Sequence, residues 1–236
     1  MCLMSTARTA PRPATLLLCY ITDRRQLPGS PEEKEQRLLE KIAACAAAGV
    51  DLIQLREKDL TGRELESLAR KAMAILPKSS PAKLLINSRL DVALACGLRG
   101  VHLPAHDLLP SDVRMVWDRA GRFAPVIGVS VHSLDEAAKA EAHGADFAVF
   151  GPVFEKSGEV NPLGLEQLRQ ACLRPDRAPI SMPILALGGV SLENAKQCLE
   201  AGASGLAGIR LFQENEVEPL VQRLRELGES GDPVIG

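Results

Sequence analysis

The sequence predicts an α/β protein, a single (β/α)8 TIM barrel. Three features carry that prediction: short, nearly continuous apolar runs, amphipathic stretches alternating with them, and a glycine junction that recurs between the two. Strands covered on both faces read as continuous apolar runs rather than as alternating ones. Runs of this kind occupy 16–21, 52–55, 83–86, 100–103, 126–129, 147–150, 184–187 and 205–207.

Helical segments lie between them. Residues 31–48 begin charged and end in small apolar side chains, and 62–76 place Leu65, Leu68, Ala69, Ala72 and Leu76 near a 3.6 period. Residues 133–143 open on Ser133 with Glu136 three positions on, the pattern of a capping box. Residues 191–201 open on Ser191 and Asn194, a weaker cap. The junctions read Ala48-Gly49-Val50-Asp51, His143-Gly144-Ala145-Asp146 and Ala201-Gly202-Ala203-Ser204. In each, a glycine ends the helix in a left-handed turn and a polar residue opens the next strand. One unit is therefore reused along the chain. Alternating β and α implies a parallel sheet, which about eight units close into a barrel; an open doubly wound sheet is the alternative.

The 236 residues suit one barrel, with 46% hydrophobic and 25% charged residues to build a sizeable core. Residues 1–15, with Arg8, Pro11, Arg12 and Pro13, read as a flexible N-terminal tail, 16–229 as the barrel and 230–236 as a C-terminal tail. No run approaches the ~20 apolar residues of a membrane span, and 16–21 is too short for a signal core. A net charge of -2 gives no reason to expect nucleic acid or an anionic membrane as partner, so any anion binding must be local. Six scattered cysteines (Cys2, Cys19, Cys45, Cys96, Cys172, Cys198) form no C-x-x-C pair and fall mostly in apolar stretches. They read as buried thiols of a cytoplasmic protein. Whether copies of the chain form a homo-oligomer is left open.

Polar residues gather where the strands end. Alternation puts Gln54 and Arg56 on one face of the second strand, either as part of a site or, for Arg56, as half of a structural pair with Glu57. Asn87, before Ser88, either caps the next helix or donates to a phosphate. Asp107, after the fourth strand, is a candidate ligand for a hard cation. His102 reads as a core histidine and His106 as surface loop. After the fifth strand, Ser130 can bond a phosphate, while His132 is either a proton-transfer group or merely the neighbour of the cap Ser133. The polar loop after Phe154 reads as a lid with Lys156 as its one cation. Gly188 and Gly189, with Arg210 after the eighth strand, suit close approach of backbone N–H groups to an anion.

In this order the motifs resemble the thiamine-phosphate synthase and thiazole tautomerase family. The resemblance runs through Tyr20-Ile21-Thr22-Asp23-Arg24, the Gln54 to Asp59 run, Ile86-Asn87, Val101-His102-Leu103, Gly128 to His132, Phe150 to Phe154 and Leu187 to Val190, covering about residues 16–225. It implies a transferase that joins a hydroxymethylpyrimidine diphosphate to a thiazole phosphate with Mg2+, releasing diphosphate. Its partners would be phosphorylated thiamine precursors. It also implies roles. Gln54 would hold the pyrimidine; Arg56, Lys58, Asn87 and Ser130, with Lys156, the diphosphate; Asp107 the Mg2+; and Gly188 the thiazole phosphate. Arg56, Lys58, Ser130 and His132 are the catalytic candidates. Three positions depart from the family pattern: Ser88 replaces the usual Asp metal ligand, the threonine-rich clamp before Lys156 is missing, and Arg210 replaces a small residue. The tautomerase branch, with His132 as acid/base and no metal, is the alternative, and a catalytically silent binding relative a third.

Overall fold

The computed structural model describes residues 15–121, 123–154, 162–173 and 180–229. Both expected tails, apart from Thr15, lie outside these residues, as do Cys2 and the centre of the expected lid with Lys156.

The strands are β1 (Leu17–Ile21), β2 (Leu52–Leu55), β3 (Lys83–Asn87), β4 (Gly100–Leu103), β5 (Val126–Val131), β6 (Phe147–Phe150), β7 (Ile184–Ala186) and β8 (Gly205–Gly208). All pair in parallel and in chain order, and β1 pairs β8 from Leu17↔Gly205 to Tyr20↔Gly208. That last ladder closes the barrel and rules out the open sheet. The helices are α1 (Pro31–Ala47), α2 (Gly62–Ile75), α3 (Leu90–Cys96), α4 (Pro110–Arg119), α5 (Leu134–Ala142), α6 (Gly164–Leu173), α7 (Leu192–Glu200), α8 (Arg210–Gln213) and α9 (Val217–Glu229). Among the described residues no helix is long and apolar enough to cross a membrane.

Local chemistry sets the helix starts. Ser30 with Glu33 and Thr61 with Glu64 form reciprocal capping boxes at α1 and α2, each satisfying amides that would otherwise lack partners. At α5 the expected box is only half made: Ser133 Oγ accepts from Glu136 N, but the Glu136 carboxylate takes the N–H of His132 instead. The junction glycines Gly49, Gly144 and Gly202 have φ of +86°, +79° and +99°. The aspartates after two of them tie strands together. Asp51 accepts from Leu18 N at 2.7 Å and Asp146 from Ile127 N at 2.7 Å, and each is held by an arginine, Arg225 and Arg114.

The core has two compartments. Outward-facing strand residues such as Leu18, Ile53, Ile86, Val101, Ile127 and Phe150 pack against the helices around Leu38, Ile42, Leu68, Trp117 and Leu224. Inside the barrel, Cys19, Ile21, Leu52, Leu85, Phe147, Val149, Leu185 and Ala207 fill the lower layers. The barrel is therefore a plugged cylinder, open only above this layer. Cys19, Cys45 and Cys198 are buried, and burial pushes their thiols up to about 12. They stay protonated and inert, as the sequence reading expects.

Candidate active site

Above the apolar plug, the inward positions turn polar. Side chains alternate along a strand, so the residue two places beyond an inward core residue points into the same axis. In this way Leu52 leads to Gln54 and Arg56 on β2, Leu85 to Asn87 on β3, and Val126 and Gly128 to Ser130 on β5. Gln54, Arg56, Asn87 and Ser130 line one cavity of about 700 Å3 together with His102, Gly188 and Arg210. Gln54 is 1% exposed and donates through Nε2 to Asn87 Oδ1 at 3.4 Å.

The pairing of charges answers the first alternative left by the sequence. Glu57 does not pair with Arg56. It is buried and accepts from Thr22 Oγ1 at 2.5 Å and from Arg24, through Nη1 at 3.0 Å and through the backbone N–H. Arg24 also grips Asp59 with both terminal nitrogens at 2.8 Å. The end of β1 thus neutralises the acids that follow β2. The Arg56 guanidinium has no ion pair among the described residues and faces the cavity. A cation kept there unpaired is set up to receive an anion.

Asn87 is not the helix cap. The residue at the start of α3 is Arg89, which makes no side-chain cap, and Asn87 instead lines the cavity. His102 corrects the sequence reading more fully. It is buried but points inward, lines the cavity and meets Ser130 Oγ through Nε2 at 2.9 Å. Burial first, and then the Arg56 charge, lower its pKa to about 3, so the ring is neutral. Its Nδ1 has no hydrogen-bond partner among the described residues. The signal was in the sequence: if Val101 and Leu103 face the helices, alternation sends His102 inward.

Across the mouth, Gly188 and Gly189 follow β7 with φ of +95° and +64°. A Cβ on Gly188 would stand 2.5 Å from Pro152 Cα. The Gly188 carbonyl accepts from Phe154 N at 3.0 Å, whereas neither glycine N–H finds an acceptor among the described residues. These two amides and the exposed Arg210 are donors that an anion can take. Asp23, from the Tyr20-to-Arg24 motif, and Arg25, which no motif included, also line the cavity, with Arg25 Nε held on Asp23 Oδ1 at 3.1 Å.

Other candidates stand outside the cavity lining. Lys58 is exposed beyond β2. Ser88 and Asp107 meet each other, the Ser88 hydroxyl donating to Asp107 Oδ2, while Oδ1 accepts from Leu108 N at 2.8 Å. Among the described residues no cluster of three or more His, Cys, Asp or Glu side chains is placed to hold a metal. One carboxylate beside a hydroxyl still fits Mg2+, which commonly takes one or two carboxylates and completes its shell with substrate phosphates and water. His132 lies exposed at the rim, with Nδ1 against the Gly151 carbonyl at 2.6 Å. A carbonyl can only accept, so Nδ1 carries the proton and Nε2 is the basic nitrogen.

A family model described as thiamine monophosphate synthase matches residues 18–212. A putative thiamine-phosphate synthase 2 of Aquifex aeolicus is 40% identical over 199 residues, covering 84% of this chain and 97% of the relative. A putative thiamine-phosphate synthase of Geobacter sulfurreducens is 42% identical over 193 residues, covering 80% and 83%. Among solved structures, thiamine phosphate pyrophosphorylase from Pyrococcus furiosus superposes with a TM-score of 0.72 at 30% identity, covering 94% of this chain and 98% of that one. With a family model over most of its length and relatives at this identity, the chain belongs to the thiamine monophosphate synthase family.

Proposed function

We propose that the chain is a thiamine-phosphate synthase, a transferase that joins hydroxymethylpyrimidine diphosphate to thiazole phosphate. The observation that carries this reading is one cavity with the half-buried cation Arg56, unpaired among the described residues, on one wall and two glycine amides without an acceptor among those residues on the other. Two substrates that each bear phosphate need two anion sites flanking one reaction centre.

In the reaction the C–O bond to diphosphate breaks, diphosphate leaves with the electron pair, and the thiazole nitrogen donates its lone pair to the carbon. The protein's work is to position the two reactants and to stabilise charge on the leaving group. Gln54, with its amide held by Asn87, orients the pyrimidine. Arg56, Asn87 and Ser130 hold the diphosphate, with Lys58 and Lys156 as further cations for the same group. Ser88 and Asp107 would hold Mg2+, which when bound adds positive charge to the departing diphosphate. On the opposite wall the Gly188 N–H and Arg210 hold the thiazole phosphate. An arginine there can bond two phosphate oxygens at once and makes up for the missing threonine-rich clamp. His132 has no proton to move in this reaction.

Incubation of the pure protein with both substrates and Mg2+ tests the reading: thiamine phosphate and diphosphate should appear in equal amounts. Isomerisation of a thiazole carboxylate phosphate in place of that product would assign the chain to the tautomerase branch. Binding of the precursors without either reaction would make it a silent relative.

A further inference from the structure

His102 is 2% exposed, and among the described residues its ring has one hydrogen-bond partner, Ser130. A serine hydroxyl carries one proton and two lone pairs, so the direction of that proton decides what Ser130 offers the cavity. A bare Nε2 would take the hydroxyl proton and leave Ser130 facing a phosphate with lone pairs alone. A protonated Nε2 donates to Oγ instead, and the hydroxyl proton is left for an anion.

The surroundings of Nδ1 decide between these. Nδ1 has no partner among the described residues, and orphaned N–H groups are rarer in protein interiors than under-satisfied acceptors. Phe147 packs beside the ring: a Cβ built on Gly128 would lie 2.7 Å from Nδ1 and 2.2 Å from Phe147 Cζ. The absent side chain of Gly128 lets the two rings approach, with centroids 5.9 Å apart. The same reasoning excludes a ring protonated on both nitrogens, which would leave an orphaned Nδ1–H in the interior.

We propose that His102 is a positioning residue, locked as the neutral Nε2–H tautomer, that turns the Ser130 hydroxyl proton toward the leaving diphosphate. This rests on Ser130 being a diphosphate donor, as the functional reading has it. His102 then acts on the anion only through Ser130, and the effects of changing the two must be coupled.

The test has a spectroscopic arm and a binding arm. Long-range 1H–15N correlation spectra of the full chain, with the His102 signals identified by their loss in His102→Gln, report the tautomer without any ligand. Titration of inorganic diphosphate with Mg2+ into wild type, His102→Gln, His102→Leu, Ser130→Ala and the Leu/Ala double variant reports the consequence. The expected spectrum has Nε2 protonated and Nδ1 bare. Gln, whose amide can still donate to Oγ, should bind within about twofold of wild type, and Leu about tenfold more weakly, the size of one lost hydrogen bond. In the Ser130→Ala background the Leu substitution should cost less than about twofold. A ring protonated at Nδ1, or Leu and Ala losses that multiply, would overturn the proposal. A wild type that binds no diphosphate would overturn the functional reading beneath it, while the spectrum still judges the tautomer by itself.

Discussion

Ser88 has a φ of +65°, in the left-handed region that side chains other than Gly, Asn and Asp seldom occupy. Its backbone is therefore shaped for the aspartate that the family pattern places there, and its hydroxyl already reaches Asp107. Ser88→Asp should fold without penalty and add a second hard oxygen ligand. We expect the Mg2+ concentration for half-maximal activity to fall by roughly tenfold, or ~1.4 kcal/mol of metal binding; an unchanged Mg2+ dependence would show that position 88 does not touch the ion. At this scale the sequence was partly legible. Gln54 and Arg56 could be placed because two polar residues spaced by two on an apolar strand have only one buried destination. His102 could not be placed by residue type, since a lone histidine among apolar neighbours looks alike whether it faces helix or cavity. The freedom of Arg56 depended on Arg24 and Thr22 taking Glu57, a contact across more than thirty positions that no local pattern reports.

Among the elements, the turn after β7 couples shape to binding most closely. Gly188 combines a φ of +95° with contact distance to Pro152 from the neighbouring strand's loop. Gly188→Ala must strain the backbone or push the β6 and β7 loops apart, at a cost above the ~1 kcal/mol typical of an incompatible Gly-to-Ala change. Because the displaced amides face the thiazole phosphate in our reading, its KM should rise about tenfold or more, while the KM for the pyrimidine diphosphate stays within about twofold. Equal rises in both would place the turn outside the thiazole site. The strands were readable throughout because each is covered on both faces and hence continuously apolar. The helices were readable where side chains cap them, as at α1 and α2. Those without a side-chain cap gave less: α3 starts at Leu90 and α4 at Pro110, and neither preceding side chain accepts from a first-turn amide. The stripe of α9 (Val217, Leu220, Val221, Leu224) was present in the sequence, and Pro219 sits in its first turn, where proline is tolerated.

The whole molecule explains how a chain of net charge -2 can hold anions. Closure of the barrel brings the ends of β2, β3, β5, β7 and β8 to one mouth, although they are far apart in sequence. Glu57, Asp59 and Asp23 are paired with Arg24 and Arg25, and although Glu214 also lines the cavity, Arg56 and Arg210 face it as cations on two sides. Deleting Arg56 should therefore affect one ligand group and little else. Calorimetric titration of inorganic diphosphate with Mg2+ into wild type, Arg56→Ala and, as a surface control, Arg70→Ala tests this directly. The account predicts one diphosphate per chain, affinity lowered about a hundredfold or more in Arg56→Ala, in line with the 2–5 kcal/mol typical for loss of a buried charge contact, and no change in Arg70→Ala. Diphosphate bound equally well by Arg56→Ala and wild type would contradict it.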